Sequence, residues 1–99
     1  MSITACSVLQ ALVGGARYGF DVIDRTGLPS GTVYPALSRL ERDGYVSSSW
    51  EAEATAQVEG RPPRRYYRVT ASGVRALADA TRHYQSLLPA LHRPARGRA

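Results

Sequence analysis

The chain has 99 residues, 43% of them hydrophobic, and a net charge of +5. This length supports one domain with one core, and it excludes large catalytic architectures such as a βα barrel, which needs about 250 residues. No apolar run approaches the ~18 residues of a membrane-spanning helix and no secretory signal opens the sequence, so we expect a cytoplasmic protein that does not bind membranes.

Positive charge is concentrated in the last part of the chain. Residues 1–60 hold four Arg and seven acidic residues, whereas residues 61–99 hold nine Arg and one Asp. Such a concentration favours a polyanion as partner, most simply nucleic acid, although a solvated basic tail would have the same composition. With one Cys and two His, the sequence predicts neither a disulfide nor a structural zinc site, and we expect no metal and no cofactor.

The beginning of the chain predicts two short helices. Apolar residues recur at helical spacing over residues 4–13, and two glycines follow them as a stop. Residues 18–25 predict the second helix, with Phe20 among its inward residues. Residues 26–29 contain Gly and Pro, and they predict the turn that leads to the next helix.

A third helix is predicted from Ser30, whose hydroxyl is expected to cap it, to Gly44. Val33, Leu37 and Leu40 lie at positions i, i+4 and i+7 and form one apolar stripe. The opposite face is polar and basic, and it comprises Thr32, Tyr34, Pro35, Ser38, Arg39 and Arg42. Two helices joined by a short turn, the second with such a face, indicate a helix-turn-helix.

Two β-rich segments predict an antiparallel hairpin. Residues 45–50 and 65–69 carry alternating, aromatic and β-branched side chains, and residues 51–64 form a loop between them. After a helix-turn-helix, such a hairpin is a wing whose arginines would follow the backbone or minor groove of a duplex; these are Arg61, Arg64, Arg65 and Arg68. The acidic residues of the loop would repel phosphate, and a solubilising loop is the alternative. We expect Trp50 to pack under the wing or against the last helix, and contact with a ligand is the alternative.

The last predicted helix covers residues 71–88, with Thr70 as its cap and Pro89 as its interruption. Apolar residues follow spacings of three and four, which is typical of a helix that pairs with a second helix. We expect a dimer through this stripe, which comprises Val74, Leu77, Thr81, Tyr84, Leu88 and Leu91. Folding of the stripe back onto its own domain is the alternative.

The stretch from Tyr18 to Leu77 closely resembles the PadR family of bacterial winged-helix regulators. The likeness is carried by three blocks in the correct order. They are GTVYPAL at residues 31–37, LE at 40–41 followed by DG at 43–44, and GRP at 60–62 followed by RYY at 65–67.

The resemblance implies a dimeric repressor whose third helix enters the major groove, whose wing touches the flanking backbone and whose last helix forms the dimer. Three features differ from the family pattern: Pro29 precedes Ser30 where the family often has Ser before Pro, the turn is short, and a single helix replaces a separate dimerisation domain. Some relatives bind flat aromatic effectors between subunits. Here the last helix has no Trp and only Tyr84 as an aromatic residue that could line such a pocket, so any small-molecule effector stays unidentified.

Together these observations predict a mainly α fold with a small β-hairpin: a winged helix-turn-helix over residues 1–69, a dimerisation helix over 70–91 and a basic flexible tail over 92–99. We expect a homodimeric regulator that binds double-stranded DNA at an inverted repeat, acts as a repressor and is associated with the nucleoid. The expected DNA contacts are Ser30, Thr32, Tyr34, Pro35, Ser38, Arg39, Arg42, Arg61, Arg64 and Arg65.

Within this set, Arg39 is suited to a bidentate contact with guanine, and Tyr34 contacts DNA or packs in part against the protein. No nucleophile motif or glycine-rich phosphate loop is present in the sequence, so we expect no enzyme activity and no catalytic residues. The alternative function is a protein-interaction module that keeps the winged-helix frame and docks onto another protein.

Overall fold

The computed structural model describes residues 1–92, with side chains for residues 1–89. Its elements follow in the order α1 (Ile3–Val13), α2 (Gly19–Thr26), α3 (Ser30–Arg42), β1 (Val46–Trp50), α4 (Glu53–Glu59), β2 (Arg65–Val69) and α5 (Ala71–His92). The predicted winged helix-turn-helix with a C-terminal helix is confirmed. The predicted tail lies outside the described residues, apart from His92.

α1 lies at the centre of the core. The Ser2 hydroxyl caps this helix by accepting a hydrogen bond from the Ala5 amide at 3.1 Å. Val8 and Leu9 are completely buried and Leu12 is nearly so. Because α1 contacts α2, α3 and α5, its apolar side chains hold the helical part of the domain together.

A three-residue turn connects α2 and α3. Gly27 has a φ of 73°, a left-handed conformation that glycine adopts without steric cost. Pro29 is the N-cap of α3, and its carbonyl accepts hydrogen bonds from two amides of the first turn. Ser30 is therefore the first residue of the helix and makes no capping bond, contrary to the prediction, because the extended conformation of Pro29 already starts the helix.

The inward face of α2 differs from the predicted one at Phe20. Val22 is completely buried, whereas Phe20 is 68% exposed. Because an α-helix has about 3.6 residues per turn, residues two apart point in nearly opposite directions. With Val22 in the core, Phe20 must point to solvent.

β1 and β2 form an antiparallel hairpin in which Val46 pairs with Val69 and Trp50 pairs with Arg65. Val46 is 2% exposed, so one end of the hairpin is fixed in the core. At the other end Trp50 is 66% exposed, contrary to the prediction that it packs under the wing. Strand alternation puts Trp50 on the same face as Val46, but the hairpin extends past the core there and leaves most of the ring exposed.

The segment between the strands is not a simple loop, because residues 53–59 form the helix α4. This segment is rich in Ala and Glu, which favour helices, and Glu53 lies in the first turn, where a negative charge is favourable. Gly60 ends the helix in a left-handed conformation with φ of 70°. The loop prediction missed α4 because a helix of seven residues has too few turns to show a recognisable apolar period.

The start of α5 is held against the loop that precedes β1. The Thr70 hydroxyl donates to the Gly44 carbonyl at 2.7 Å and accepts from the Gly73 amide at 3.1 Å, which confirms Thr70 as a capping residue. The Thr70 amide also donates to the Tyr45 carbonyl at 3.0 Å. These bonds bring the first turn of α5 into direct contact with the backbone of Tyr45.

α5 continues past Pro89 and ends at His92, whereas the sequence predicted an end at residue 88. Proline removes one amide donor, but residues 85–89 are exposed, so water can satisfy the carbonyl left without a partner. Leu91 is in this helix, and its side chain is outside the described part. The second half of α5 therefore extends beyond the core of its own domain.

Candidate nucleic-acid interface

α3 is fixed to the domain by one side and exposes the other. Val33 and Leu37 are completely buried and Leu40 is 2% exposed, as predicted. The opposite side, which we name the outer face, comprises Thr32, Tyr34, Pro35, Ser38, Arg39 and Arg42; Thr32 is half-buried and the others are exposed. Ser30 is exposed at the start of the same helix. The outer face therefore presents hydroxyl and guanidinium groups on a rigid support.

Tyr34 combines exposure with a close contact to α2. Its side chain is 41% exposed, and its ring lies directly over Gly19, the first residue of α2. A Cβ at Gly19 would lie 2.4 Å from the Tyr34 hydroxyl oxygen, so only glycine permits this position of the ring. Tyr34 therefore packs in part against the protein, and this packing sets the position of an exposed phenol. Its contact with DNA stays a prediction.

Pro35 stands inside α3, where proline is normally unfavourable. It has no N–H to donate to the Gly31 carbonyl four residues earlier. Both residues are exposed. The Gly31 carbonyl near the start of α3 therefore lacks the amide donor that a residue other than proline would supply at position 35.

The wing is attached to α3 through Glu41. The Glu41 carboxylate pairs with Arg65 at 3.0 Å and accepts a hydrogen bond from the Ser48 hydroxyl. Arg65 also donates to the Ser48 hydroxyl oxygen at 3.0 Å. The Arg65 side chain is 41% exposed, but its guanidinium is already engaged, so its main role in this structure is to hold the hairpin against α3.

A second carboxylate, Glu51, closes the base of the segment that contains α4. Its side chain is 8% exposed and pairs with Arg61 at 2.6 Å. It also accepts hydrogen bonds from the Tyr66 hydroxyl at 2.9 Å and from the Arg64 amide at 3.3 Å. Arg61, one of the predicted DNA contacts, is thus turned inward, and Glu51 does not face solvent as a source of repulsion.

The Glu51 network predicts a stability change at acidic pH. Hydrogen bonds from Arg61, Tyr66 and the Arg64 amide lower the pKa of Glu51 from 4.5 to about 2. Since the folded pKa is the lower one, the network stabilises the fold above pH ~4.5 and loses this contribution as the pH falls towards ~2. In urea unfolding, Glu51→Gln should be less stable than the wild type at pH 7, and the difference should shrink over this range.

The exposed Glu53 provides the control for this experiment, because Glu53→Gln removes the same charge from the same segment. We expect Glu53→Gln to follow the wild-type pH dependence. A stability difference for Glu51→Gln that stays constant from pH 7 to pH 2 would contradict the assignment.

Arginine and tyrosine side chains stack between the wing and the start of α2. The Arg64 guanidinium lies 4.2 Å from the centre of the Tyr18 ring, and Arg17 lies 4.7 Å from the centre of the Tyr66 ring. Tyr18 and Tyr66 meet edge to face at 5.9 Å. Among the described residues, no group accepts a hydrogen bond from the Arg64 side chain. Its donors are therefore free for an anion.

Two aromatic residues near this stack, Phe20 and Trp50, were predicted from the sequence to be packed against the protein but are exposed. Both line one cleft with Tyr34, between the start of α3 and the wing. A signal was present for Trp50, which is an aromatic residue in a polar surrounding sequence, and Phe20 gave no such signal. Helix and strand periodicity both favoured burial.

The apolar stripe of α5 is divided between two environments. Leu77 is 7% exposed and packs in the core of its own domain, so its assignment to the dimer surface is wrong. Thr81 and Tyr84 are half-buried, and the Tyr84 hydroxyl donates to the Met1 carbonyl at 2.8 Å. Val74 and Leu88 remain 52% and 45% exposed. The middle of the stripe thus packs against its own domain, and the apolar side chains before and after it stay exposed.

α1 and α5 together border an open groove of about 620 Å³. Its lining is mainly apolar or uncharged and includes Ile3, Cys6, Gln10, Thr81, Tyr84 and Leu88. Ile3 is 65% exposed at one end of the groove, which leaves a large aliphatic side chain without cover in the single chain. The mainly uncharged lining of the groove suits the apolar face of a further helix.

Within the described part of the chain, no cluster of three or more His, Cys, Asp or Glu side chains could hold a metal ion. None of the helices in that part combines the length and the apolarity that a membrane span requires.

The chain was compared with known families and proteins. The profile of the family described as "Transcriptional regulator PadR-like family" matches residues 8–79. No match is found among curated proteins.

Several solved structures share the fold. A PadR-like transcription factor from Bacteroides fragilis has a TM-score of 0.73 and 25% identity, over 88% of this chain and 84% of that one. A PadR family transcription regulator from Clostridium difficile has a TM-score of 0.78 and 20% identity, over 91% and 95%. BpsR of Bordetella bronchiseptica, whose DNA binding is regulated by 6-hydroxynicotinic acid, has a TM-score of 0.78 and 15% identity, over 97% and 64%.

Proposed function

Because this chain belongs to the PadR-like family of transcriptional regulators, we propose that it is a homodimeric repressor that binds double-stranded DNA at an inverted repeat. In this proposal α3 enters the major groove and the wing lies on the flanking backbone. The observation that carries it is the outer face of α3, which is exposed while the other side of the same helix is fixed in the core.

Contacts with bases are assigned to the middle of the outer face. Arg39 and Ser38 are exposed there, and a guanidinium can donate two parallel hydrogen bonds to the edge of guanine. Ser30, Thr32 and Tyr34 lie nearer the start of the helix, where hydroxyl groups and the helix dipole favour phosphate. Pro35 and Arg42 complete the contact surface.

On the wing, the proposal gives the main phosphate contact to Arg64. Its guanidinium lies over the Tyr18 ring, 4.2 Å from the ring centre, and its donors are free. Arg61 and Arg65 are engaged by carboxylates, so their contribution is to hold Arg64 and the hairpin in place. A contact by either of them with DNA would require it to share its donors between a carboxylate and a phosphate.

The dimer is proposed to form through α1 and α5. The groove between these helices and the exposed side chains of Ile3, Val74 and Leu88 support a second copy of α5 as the occupant. A symmetric dimer of winged helices places its two recognition helices about one DNA turn apart, ~34 Å or 10 base pairs. An inverted-repeat operator follows from that symmetry.

The proposal is tested by titrating the protein with its own upstream promoter and with a scrambled duplex at two salt concentrations. We expect the promoter to be preferred at both, with a slope of log affinity against log salt of about −0.9 for each phosphate contact. Arg39→Ala should weaken promoter binding by about 1 to 3 kcal/mol for each half-site, since it removes a base contact.

Arg75→Ala is the matched control, because it removes one exposed arginine from α5 and changes the net charge equally. It should leave promoter preference unchanged. An equal loss of promoter affinity in Arg39→Ala and Arg75→Ala would mean that net charge alone drives binding. If neither duplex binds, the protein-interaction alternative is favoured instead.

A further inference from the structure

Three aromatic side chains are exposed around one cleft on the side of the domain that carries the outer face of α3. Phe20 is 68% exposed, Trp50 is 66% exposed and Tyr34 is 41% exposed. They border a space of about 560 Å³ between the start of α2, the start of α3 and the wing. We name this space the aromatic cleft, and Tyr18, Pro62, Pro63, Arg64, Arg65 and Tyr67 complete its lining together with Gly19 and Arg61.

The lining has an unusual composition for an exposed surface. Apart from Gly19, it consists of aromatic, proline and arginine side chains, without an aliphatic side chain or a carboxylate. Exposed aromatic surface of this size is unfavourable in water and commonly marks a contact site. Because the polar groups that accompany the rings are all cationic or phenolic, the cleft suits an occupant that alternates apolar surface with negative charge.

Arg64 keeps its donors available while it stacks on a ring, whereas the Arg65 donors are engaged by Glu41 and Ser48. The Arg64 guanidinium lies 4.2 Å from the centre of the Tyr18 ring, and Arg65 lies 5.6 Å from the centre of the Trp50 ring. Stacking uses the face of a guanidinium, whereas its N–H groups point outward in the plane and can bind a phosphate. A sugar–phosphate strand presents apolar deoxyribose faces and phosphates in turn, which matches this arrangement.

The position of the cleft indicates which part of a duplex would reach it. Tyr34 of α3 forms one wall, and Pro62, Pro63 and Arg64 of the wing form another. When α3 lies in the major groove and the wing on the flanking backbone, the strand that separates the two grooves must pass between them.

We propose that the aromatic cleft seats the sugar–phosphate backbone of one DNA strand, with Trp50 and Phe20 packed on deoxyribose faces and Arg64 on a phosphate. This inference rests on the proposed function, since it specifies how the duplex is held. It adds an apolar contribution to binding that does not depend on salt. It also gives a reason for the exposure of Phe20 and Trp50.

Trp50 is the only tryptophan of the chain, so its fluorescence reports on the cleft alone. We expect saturating promoter duplex to lower the acrylamide quenching constant of Trp50 at least twofold, while fluorescence anisotropy of a labelled duplex measures binding in the same sample. Duplex that binds by anisotropy and leaves the quenching constant unchanged would overturn the cleft assignment and leave the proposed function intact. Absence of duplex binding would overturn both.

Variants separate the apolar contribution from the ionic one. Phe20→Ala and Trp50→Ala should each weaken promoter binding about three- to tenfold without changing the salt slope. Arg64→Ala should instead reduce the magnitude of the slope by about 0.9 for each protomer. Val58→Ala, which truncates another exposed apolar residue on α4 outside the cleft, should have no effect. Unchanged affinity in both aromatic variants would contradict the proposal.

Discussion

Gly73→Ala is expected to destabilise the fold strongly, by about 3 kcal/mol, at the top of the range for overpacking. A Cβ at Gly73 would lie 2.1 Å from the Tyr45 carbonyl oxygen and 2.8 Å from Cγ1 of Val69. The first of these is a backbone atom, and the same carbonyl accepts a hydrogen bond from the Thr70 amide. The methyl group therefore cannot be accommodated by a rotamer change, and α5 must move away from the hairpin.

The sign of this effect opposes the intrinsic preference of helices. Ala is favoured over Gly inside a helix by about 0.5–1 kcal/mol, so helix propensity alone predicts a more stable variant. Thermal unfolding followed by circular dichroism decides between the two. Since ~1 kcal/mol shifts the Tm of a domain of this size by about 4–8 °C, the expected loss exceeds about 10 °C.

Gly31→Ala provides the control. Gly31 also lies in a helix, but it is exposed, and an added Cβ would meet nothing within 4 Å. Its Tm should equal or exceed that of the wild type. If the Tm of Gly73→Ala equals that of Gly31→Ala, α5 does not approach Tyr45 as closely as the structure has it.

Sequence reasoning succeeded where one periodicity dominated a long enough segment. The stripe of Val33, Leu37 and Leu40 predicted the buried side of α3, and with it the exposed outer face. The pairing of residues 45–50 with 65–69 gave the hairpin to within one residue, because both segments alternate and a turn-rich stretch separates them. These are local patterns that the tertiary structure does not override.

The failures share a different physical cause, which is that periodicity gives the direction of a side chain and not what covers it. Trp50 lies on the predicted face of β1, yet the hairpin extends past the core there. Leu77 lies on the predicted stripe of α5, yet α1 of the same chain covers it. Neither outcome could follow from sequence alone, because both depend on where one element ends relative to another.

The contact between Gly19 and Tyr34 is a further feature that no local pattern predicts, and its loss is expected to change promoter affinity strongly. Gly19→Ala is expected to fold but to lose at least about tenfold in promoter affinity. The added Cβ would overlap the outer end of the Tyr34 ring at 2.4–2.5 Å, and the ring can swing away because it is partly exposed. The cost to stability should therefore be small, whereas the phenol moves from its place at the start of α3.

A double-mutant cycle with Tyr34→Ala tests this mechanism directly, because the two substitutions act through the same side chain. If Gly19→Ala weakens binding only by displacing Tyr34, it should have no further effect on promoter affinity once Tyr34 is alanine. The measurement is the affinity of all four proteins for the promoter at one salt concentration, with Tm values to confirm folding. Effects that simply add would mean that Gly19 acts on DNA binding by another route, and the role assigned to the Tyr34 ring would have to be abandoned.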